Sequence, residues 1–443
     1  MRIKKILSAL LIFTSFALLR VDAASEKPNI ILILADDLGI NDLSCYGSEI
    51  KTPHIDSIGH NGMKFDQYYV PSPICTPSRF GLLTGRLPNR SQDQLLGALM
   101  FVMERDDHRG IRPGETTVAK VLRDAGYRTA LIGKWHLGHG EPGFSANKHG
   151  FDYSYGSEGG CVDYFTMKYG YKADWARNGK QIVEEGYSTD LITDDAVRYL
   201  EKRNEKPFFL FLSYTAPHYG KGWDENEKKL TNILQSKPED RARFPHITDT
   251  NRLEYAGMVA AMDDGVGRVL EVLKKQKLDK KTLIIFASDN GGDYRYGGSN
   301  KPFRGQKAEL FEGGIRVPCL MQWNGKIKPG GVTQQPVSGL DIFPTLCAIA
   351  GVANSHSLDG NNIAPIMFEN KKLSRDLFWQ LPKTDAFRRG PWKYVRVGKD
   401  EMLFNLDTDP GEGKNLSKEN PDLMQELKAA HETVAATFRK SGK

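Results

Sequence analysis

The stretch NIILILADD, residues 29–37, is an unbroken apolar run that ends in two carboxylates. Such a run is typical of a strand buried on both faces of a parallel sheet. Three further apolar runs also end in polar or ionisable residues: YRTALIGKWH (127–136), PFFLFLSYTAPH (207–218) and TLIIFASDNGG (282–292). These four runs predict the central strands of one sheet.

Helical patterns lie between the predicted strands. GETTVAKVLRDAG (114–126) ends at a glycine, and EYAGMVAAMDDGVGRVLEVLKKQ (254–276) has apolar residues at helical spacing. Strands that alternate with helices predict an α/β fold, with a large mixed, mostly parallel sheet flanked by helices. Ligands bind beyond the carboxyl ends of the strands in such sheets, so we expect the functional site there.

The sequence pattern changes from about residue 366 onwards. RRGPWKYVRV (388–397) and EMLFNLDTDPGEGKNL (401–416) have the pattern of short antiparallel strands and turns, and a helix is predicted over 420–438. We therefore predict a catalytic α/β domain over 24–365 and a smaller C-terminal α+β subdomain, a short antiparallel sheet and a helix, over 366–443.

The first 23 residues have the pattern of a signal peptide. A basic start precedes an apolar run over residues 6–19, and Val21 and Ala23 fit the small-residue cleavage pattern. The formal net charge is +6, and removal of residues 1–23, with four basic residues and one acidic residue, leaves +3. We expect an exported protein with no membrane anchor and, because no basic block is present, no nucleic-acid partner.

Cysteine usage argues against a zinc site. The five cysteines are scattered, with no CxxC pair: Cys45, Cys75, Cys161, Cys319 and Cys347. An odd number in an exported protein leaves at least one thiol without an internal partner. Cys75 is the candidate, and the pairing of the other four stays open.

PICTPSRFGLLTG, residues 73–85, places Cys75 just before the predicted N-terminus of a helix. Pro77 suits the first helical turn, with Thr76 as the N-cap. Backbone N–H groups at a helix N-terminus favour anions, and Arg79 adds positive charge on the same face. Cys75 is therefore a candidate nucleophile. A buried structural cysteine beside a surface arginine remains the alternative.

Acidic residues at two strand ends indicate a metal site. Asp36–Asp37 and Asp289–Asn290 supply hard oxygen donors, which suit Ca²⁺ or Mg²⁺. Each pair alone is also compatible with a loop or helix cap. The two pairs together favour a cation.

Basic residues also lie at this predicted edge of the sheet. Lys134 and His136 reach one pocket only if the backbone bends there, because side chains alternate along a strand. With His218 and Lys307 they indicate a pocket for an anionic ester, although an isolated histidine is more often a packed or surface residue.

These motifs together resemble the type I sulfatases of the alkaline phosphatase superfamily. PICTPSRFGLLTG matches the Cys-x-Pro-Ser-Arg signature of that family, and GYRTALIGKWHLG matches its second signature. Further matching blocks are NIILILADDLG, SDNGG, FRGQKAELFEGGIRVP, DIFPTL and LFNLDTDPGEGKNL. The resemblance covers essentially the whole mature chain.

The resemblance implies that Cys75 is oxidised to formylglycine by a separate maturation enzyme, which recognises residues 76–79. One hydroxyl of the hydrated aldehyde then attacks sulfur. The alcohol of the substrate departs as the leaving group, which gives a sulfated enzyme intermediate. The second hydroxyl collapses to the aldehyde and expels sulfate.

The family roles carry over to this sequence position by position. Ca²⁺, with Mg²⁺ less favoured, would be bound by Asp36, Asp37, Asp289, Asn290 and the modified Cys75. Arg79 and Lys134 would steady the nucleophile, and His136 would be the base for sulfate elimination. His218 and Lys307 would hold the sulfate, and one of them would protonate the leaving oxygen.

The function that the resemblance implies is that of an exported sulfatase, which acts on the ends of sulfated carbohydrates. A periplasmic or secreted enzyme is favoured over a lysosomal one. The alternatives are a phosphonate monoester or phosphodiester hydrolase and, from another class, a non-catalytic binder of sulfated glycans. Lys301, Arg304 and Glu312 are expected to be structural, and Asp163 is a weak candidate for sugar contact. The sugar, the sulfate position and the oligomeric state stay open.

Overall fold

The computed structural model describes residues 27–202, 204–353 and 356–439, so the predicted signal peptide lies outside the described residues. The strands are β1 (Asn29–Ala35), β2 (Met63–Tyr69), β3 (Arg128–Gly133), β4 (Tyr153–Gly156), β5 (Lys168–Tyr169), β6 (Lys172–Ala173), β7 (Ala176–Arg177), β8 (Lys180–Gln181), β9 (Phe208–Ser213), β10 (Gly220–Asp224), β11 (Lys229–Ile233), β12 (Thr282–Ser288), β13 (Arg316–Gln322), β14 (Gly331–Thr333), β15 (Val337–Ser338), β16 (Asp376–Gln380), β17 (Thr384–Arg389), β18 (Trp392–Val397) and β19 (Asp400–Asn405). The helices are α1 (Pro53–His60), α2 (Cys75–Thr84), α3 (Glu104–Asp107), α4 (Val118–Asp124), α5 (Ser188–Glu201), α6 (Pro238–Arg241), α7 (Thr250–Lys275), α8 (Glu312–Ile315), α9 (Ile342–Ile349), α10 (Ala364–Glu369) and α11 (Pro421–Arg439).

One large sheet of eleven strands organises the described chain. Its order is β14-β2-β13-β12-β1-β9-β3-β4-β7-β8, with β15 also paired to β2. The centre, from β12 to β4, is parallel, whereas β13 runs antiparallel to both β12 and β2. In the register of β1, Ile30 lies opposite Leu283 on one side and Phe209 on the other. The prediction of a large mixed, mostly parallel sheet is confirmed.

Strand β1 shows why its sequence is apolar without interruption. All seven of its residues are buried, and their side chains alternate between two cores. Ile30 packs in a core with residues of α2, α4 and α9, and Ile31 packs in the opposite core with residues of α1, α5 and α7. Each fully buried aliphatic side chain contributes about 1.5–3 kcal/mol, so both faces of the strand stabilise the sheet.

The C-terminal part contains the predicted antiparallel sheet and helix. Strands β16 to β19 form an antiparallel meander, and α11 packs against β16, β17 and β18. Phe378, Phe387 and Leu427 belong to a small core of this part. The predicted boundary at residue 366 falls inside α10, whose Ile366 packs in the main core.

Two small hairpins lie outside the large sheet. One consists of β5 and β6, and the other consists of β10 and β11, which follow β9 directly in the chain. The short strands of the two hairpins contact each other. In the described ranges, no helix is both long enough and apolar enough to cross a membrane.

Candidate functional site

The polar residues that follow four neighbouring strands of the sheet meet at its carboxyl edge. The strands are β12, β1, β9 and β3, which are adjacent in the sheet. The residues that follow them are Asp289 and Asn290, Asp36 and Asp37, His218, and Lys134 and His136, all of them buried. Parallel strands deliver their ends to one edge, so topology alone brings these groups together.

The backbone bends after β3. Such a bend is required if Lys134 and His136 are to reach one pocket. Gly133 has a φ of 113° and His136 has a φ of 57°. A positive φ is uncommon for a residue other than glycine, so the strand pattern ends at this point. The bend allows both side chains to enter the same cluster.

Cys75 is the first residue of α2 and is 2% exposed. The prediction of Thr76 as the N-cap is wrong, because Ile74 holds that position and the Thr76 hydroxyl accepts a hydrogen bond from the Leu99 amide at 3.2 Å. Burial raises the pKa of the Cys75 thiol, against the opposing effect of Lys134 and Lys307. An unmodified Cys75 would therefore be a poor thiolate nucleophile.

Arg79, in the second turn of α2, connects the ends of three strands. Its Nε donates to Asp289 Oδ2 at 2.8 Å, and its Nη1 donates to the Ser213 hydroxyl at 2.6 Å and the Lys134 carbonyl at 3.2 Å. Lys134 Nζ donates to Asp36 Oδ2 at 2.6 Å. Arg79 Nη2 lies 3.9 Å from Asp36 Oδ1 and has no hydrogen-bond partner among the described residues.

A second group of contacts centres on Asp37. Lys307 Nζ and Asn290 Nδ2 donate to its two carboxylate oxygens at 2.6 Å and 2.7 Å. His218 Nε2 lies 3.5 Å from Asp37 Oδ2 and 2.9 Å from Lys307 Nζ. Asp37 has a φ of 63°, so its backbone is held in an uncommon conformation at the site.

Carbonyl contacts define the neutral tautomers of both histidines, because a carbonyl oxygen only accepts hydrogen bonds. His218 Nδ1 donates to the Tyr219 carbonyl at 2.7 Å, which leaves Nε2 to accept from Lys307. His136 Nε2 donates to the Leu99 carbonyl at 2.8 Å. The lone pair of His136 Nδ1 is buried and has no partner among the described residues.

Burial and neighbouring charges determine the protonation of the cluster. Burial, with the charge of Asp36, raises the pKa of Asp289 to about 7. Burial acts in the same direction on Asp37, but Lys307 and His218 outweigh it and lower that pKa to about 2. Burial and the Lys307 ammonium lower the pKa of His218 to about 3, so its ring is neutral.

The cluster fits a hard divalent cation. Asp36 Oδ1 and Asn290 Oδ1 are buried acceptors without a hydrogen-bond partner in the described chain. Carboxylate and amide oxygens are ligands that Ca²⁺ prefers. Among described residues, ligand atoms of Asp36, Asp37 and His218 also lie within 4.8 Å of one another. Because the His218 lone pair already accepts from Lys307, the oxygen donors are the better ligands.

A glycine-rich loop packs directly on His136. A Cβ on Gly160 would lie 2.6 Å from His136 Cε1 and 2.7 Å from its Nε2, so any larger residue would displace the imidazole. Gly160 belongs to the stretch GSEGGCVDYFT, in which Cys161 follows it. The glycine therefore allows the loop to cover one side of the cluster.

Ser213 was not identified from the sequence. It is completely buried at the end of β9, accepts from Arg79 and donates to the Lys134 carbonyl at 2.8 Å. A polar residue that ends a buried apolar strand was the available signal.

The lower-ranked sequence candidates are engaged in structural contacts. Asp163 Oδ1 accepts from the amides of Phe165 and Thr166, so its carboxylate holds its own loop. Glu312 is completely buried and accepts from Lys393 Nζ at 2.9 Å. All five cysteines are free thiols.

Comparison with known proteins assigns the chain to a family. The model of the sulfatase family matches residues 28–352, and that of the N-sulphoglucosamine sulphohydrolase C-terminal region matches residues 305–437. The chain belongs to the sulfatase family and is a type I sulfatase of the alkaline phosphatase superfamily. It is therefore a sulfuric ester hydrolase, as predicted.

Individual relatives support the same assignment along most of the chain. Steryl-sulfatase of Mus musculus is 31% identical and covers 94% of this chain and 82% of that protein. N-acetylgalactosamine-6-sulfatase of Homo sapiens is 32% identical and covers 91% of this chain and 84% of that protein. The crystal structure of Ps i-CgsB in complex with k-i-k-neocarrahexaose is 36% identical, covers 92% of both chains and has a TM-score of 0.84.

Proposed function

We propose that this sulfatase is exported and removes sulfate from the ends of sulfated carbohydrates, with formylglycine made from Cys75 and a bound Ca²⁺. The observation that carries the proposal is the buried cluster around Cys75, in which unpaired donor and acceptor atoms remain at Arg79, His136, Asp36 and Asn290. Buried polar groups without partners are costly, so these atoms point to species that complete the site.

Conversion of Cys75 to formylglycine would supply the hydroxyl that attacks sulfur. Arg79 and Lys134 would hold that hydroxyl in position, since each has a cationic group fixed by a buried carboxylate. His136 Nδ1 carries a free lone pair and would accept the proton when sulfate is eliminated. The proton between Lys307 Nζ and His218 Nε2 is the one available to the leaving oxygen.

Asp36, Asp37, Asp289 and Asn290 would hold Ca²⁺, with the modified side chain at position 75 as a further oxygen ligand. The ion would stabilise negative charge on the transferred group. Three buried carboxylates already face three cations, Arg79, Lys134 and Lys307. A bound dication would therefore give the pocket a net positive charge, which an anionic sulfate ester offsets.

The substrate class rests on the relatives. N-acetylgalactosamine-6-sulfatase and the Ps i-CgsB complex with a neocarrahexaose favour a saccharide, while steryl-sulfatase leaves a steroid ester as the competitor. The signal peptide predicted over residues 1–23 suits an enzyme of the periplasm or the exterior that degrades polymer fragments, in preference to a lysosomal enzyme. A formylglycine-generating enzyme is the partner required for maturation.

Sulfate release measured by ion chromatography tests the proposal. The enzyme is co-expressed with a formylglycine-generating enzyme and incubated with κ- and ι-carrageenan oligosaccharides, N-acetylgalactosamine 6-sulfate and a steryl sulfate. We expect release from a saccharide and none from the steroid. Mass spectrometry of the peptide that contains residue 75 establishes whether the aldehyde is present.

Two cysteine variants provide the controls. Cys75→Ala should abolish release, whereas Cys161→Ala, which changes another buried thiol in the electrostatic range of Lys134 and Lys307, should retain most of it. Release from the steroid alone would contradict the carbohydrate assignment. Full release by Cys75→Ala would contradict the nucleophile.

A further inference from the structure

The hairpin of β10 and β11 brings a further lysine to the side of the site. Tyr219 precedes β10, and its ring centroid lies 4.1 Å from that of His218. The ammonium of Lys307 lies 5.4 Å from the centroid of the Tyr219 ring, and that of Lys221 lies 5.3 Å from the same centroid. Tyr219 thus places Lys221 next to the residues proposed to hold the sulfate.

Lys221 is a buried cation with no counter-charge in the part of the chain that the structure describes. Only 9% of the surface of Lys221 is exposed, and its Nζ donates to the side-chain amide oxygen of Asn232. In the described residues it forms no salt bridge, whereas the buried lysines Lys134 and Lys393 each contact at least one carboxylate. A buried ammonium without an anion is costly, so the site would gain from an anionic ligand.

The electrostatic surroundings support this placement. Burial lowers the pKa of Lys221, and the charge of Lys307 lowers it further. Burial raises the pKa of Cys161 in the glycine-rich loop to about 12, and the charges of Lys134, Lys221 and Lys307 oppose this rise, so all three ammonium groups act on the same thiol. Lys221 therefore belongs to the positive field of the pocket, although no proposed catalytic role requires it.

Aromatic side chains extend the surface outwards from Lys221. Side chains alternate along a strand, so Lys221 and Trp223 lie on the same face of β10. Trp223 packs edge-on against Tyr171, with ring centroids 5.0 Å apart, and Tyr171 is 61% exposed. The amide of Gly170 donates to the Lys221 carbonyl at 2.9 Å, which fixes the β5–β6 hairpin against β10.

We propose that Tyr171, Tyr219, Lys221 and Trp223, here called the hairpin surface, bind the sugar next to the one that loses sulfate. Lys221 recognises an anionic substituent on that neighbouring sugar, either a second sulfate or a carboxylate. Aromatic rings that are at least partly accessible and lie beside a cation suit a sugar with an apolar face and an anionic group. The inference rests on the proposed function and narrows its substrate to an oligosaccharide with more than one charge.

Calorimetric titration of the full chain carrying Cys75→Ala tests the hairpin surface without turnover. The probes are hexasaccharides of ι-carrageenan with two sulfates per repeat, κ-carrageenan with one, and chondroitin sulfate with a sulfate and a carboxylate. We expect Lys221→Met to weaken binding of the ι-type probe about tenfold or more, as the loss of a charged hydrogen bond implies, and the κ-type probe less than about threefold.

The same titration separates the two anionic groups and the control positions. A large loss for the ι-type probe alone identifies sulfate, and a large loss for the chondroitin probe identifies carboxylate. Lys228→Met removes an exposed lysine of the same hairpin, which is paired with Glu225. This substitution should leave the affinities for all three probes unchanged. Lys221→Arg keeps the charge and should restore most of the binding.

Two outcomes would overturn the inference. Equal losses for Lys221→Met and Lys228→Met would show that only general charge matters, and equal losses of affinity for all three probes would show that Lys221 recognises no second anionic group. An unchanged melting temperature shows that Lys221→Met is folded. Absence of binding to all three probes, together with no sulfate release from any saccharide by the active enzyme, would instead overturn the proposed function.

Discussion

Asp36 and Asp289 are completely or almost completely buried, and their carboxylates restrict what the site can contain. Each already lies within ion-pair distance of at least one cationic side chain, yet Asp36 Oδ1 still has no hydrogen-bond partner among the described residues. Burial raises the pKa of Asp289 to about 7, so its ionised form is costly at neutral pH. A dication near these oxygens would remove both costs.

Calcium binding should therefore stabilise the folded protein. After dialysis against EDTA, addition of Ca²⁺ at a hundred times its Kd should raise the melting temperature by about 3 °C for a chain of this size. Mg²⁺ should raise it less, because it requires a stricter octahedral arrangement. Differential scanning fluorimetry measures the shift, and elemental analysis measures the bound metal.

Asp36→Asn should abolish the calcium shift, because it removes one of the proposed charged ligands. Asp163→Asn is the matched control, since Asp163 lies in the glycine-rich loop and accepts hydrogen bonds from the amides of its own turn. An equal shift in both variants, or protein free of metal after dialysis against Ca²⁺, would contradict the cation site.

At the scale of single elements, α1 shows how a neighbouring helix supplies a missing cap. Thr52 makes no side-chain capping hydrogen bond, and Pro53 begins the helix. Asp263 of α7 instead accepts from the amides of His54 and Ile55, at 3.2 Å and 2.7 Å. The cluster of His54, Asp263 and Asp264 has the composition of a metal site, but its buried carboxylate is already satisfied by backbone amides.

Removal of this cap should destabilise the protein measurably. Asp263→Ala should lower the free energy of unfolding by about 2 kcal/mol, the upper range for loss of a helix cap. Asp264→Ala removes the adjacent carboxylate, whose salt bridge with Arg243 is half exposed, and should cost less than about 1 kcal/mol. Urea unfolding of both variants measures the difference, and equal losses would contradict the capping role.

Prediction from sequence succeeded for elements with a strong pattern. The four apolar runs are the central strands because both of their faces are covered, so burial alone determines their composition. The strands β5 to β8 and the hairpin of β10 and β11 were not predicted, because short and partly exposed strands carry no clear period. The hairpin surface was missed for that reason.

For the site as well, only features with a clear sequence pattern were predicted. Residues at strand ends were predictable because parallel topology collects them at one edge. The helix start was misplaced by two residues, because the N-cap is Ile74 and not Thr76, whose hydroxyl instead accepts from the distant Leu99 amide. The tautomers of His136 and His218 depend on carbonyls of loop residues, which only the folded chain brings into position.

At the scale of the whole molecule, a buried ion cluster connects the C-terminal sheet to the main body. Lys393 of β18 contacts Glu312 of α8 at 2.9 Å and Glu412 after β19 at 2.8 Å, and all three side chains are completely buried. Two carboxylates share one lysine, although Arg316 lies 3.4 Å from Glu312. We therefore expect the attachment of the sheet to depend on pH.

Glu412 should control that sensitivity. Burial raises its pKa from 4.5 to about 7, despite the opposing charge of Lys393. The folded protein therefore binds this proton more tightly than the unfolded chain does. The resulting stabilisation is complete below pH 4.5 and is lost as the pH rises through about 7. Glu412→Gln removes the titrating group and should flatten this part of the stability profile.

Urea unfolding between about pH 4.5 and pH 8 measures the effect. Relative to Glu412→Gln, the wild-type protein should lose on the order of 3 kcal/mol of unfolding free energy across this range. Glu419→Gln is the control, because Glu419 is half exposed and lies 3.7 Å from the exposed Lys414, so its profile should follow the wild type. Parallel profiles for the wild type and Glu412→Gln would show that the attachment of the C-terminal sheet does not depend on this proton.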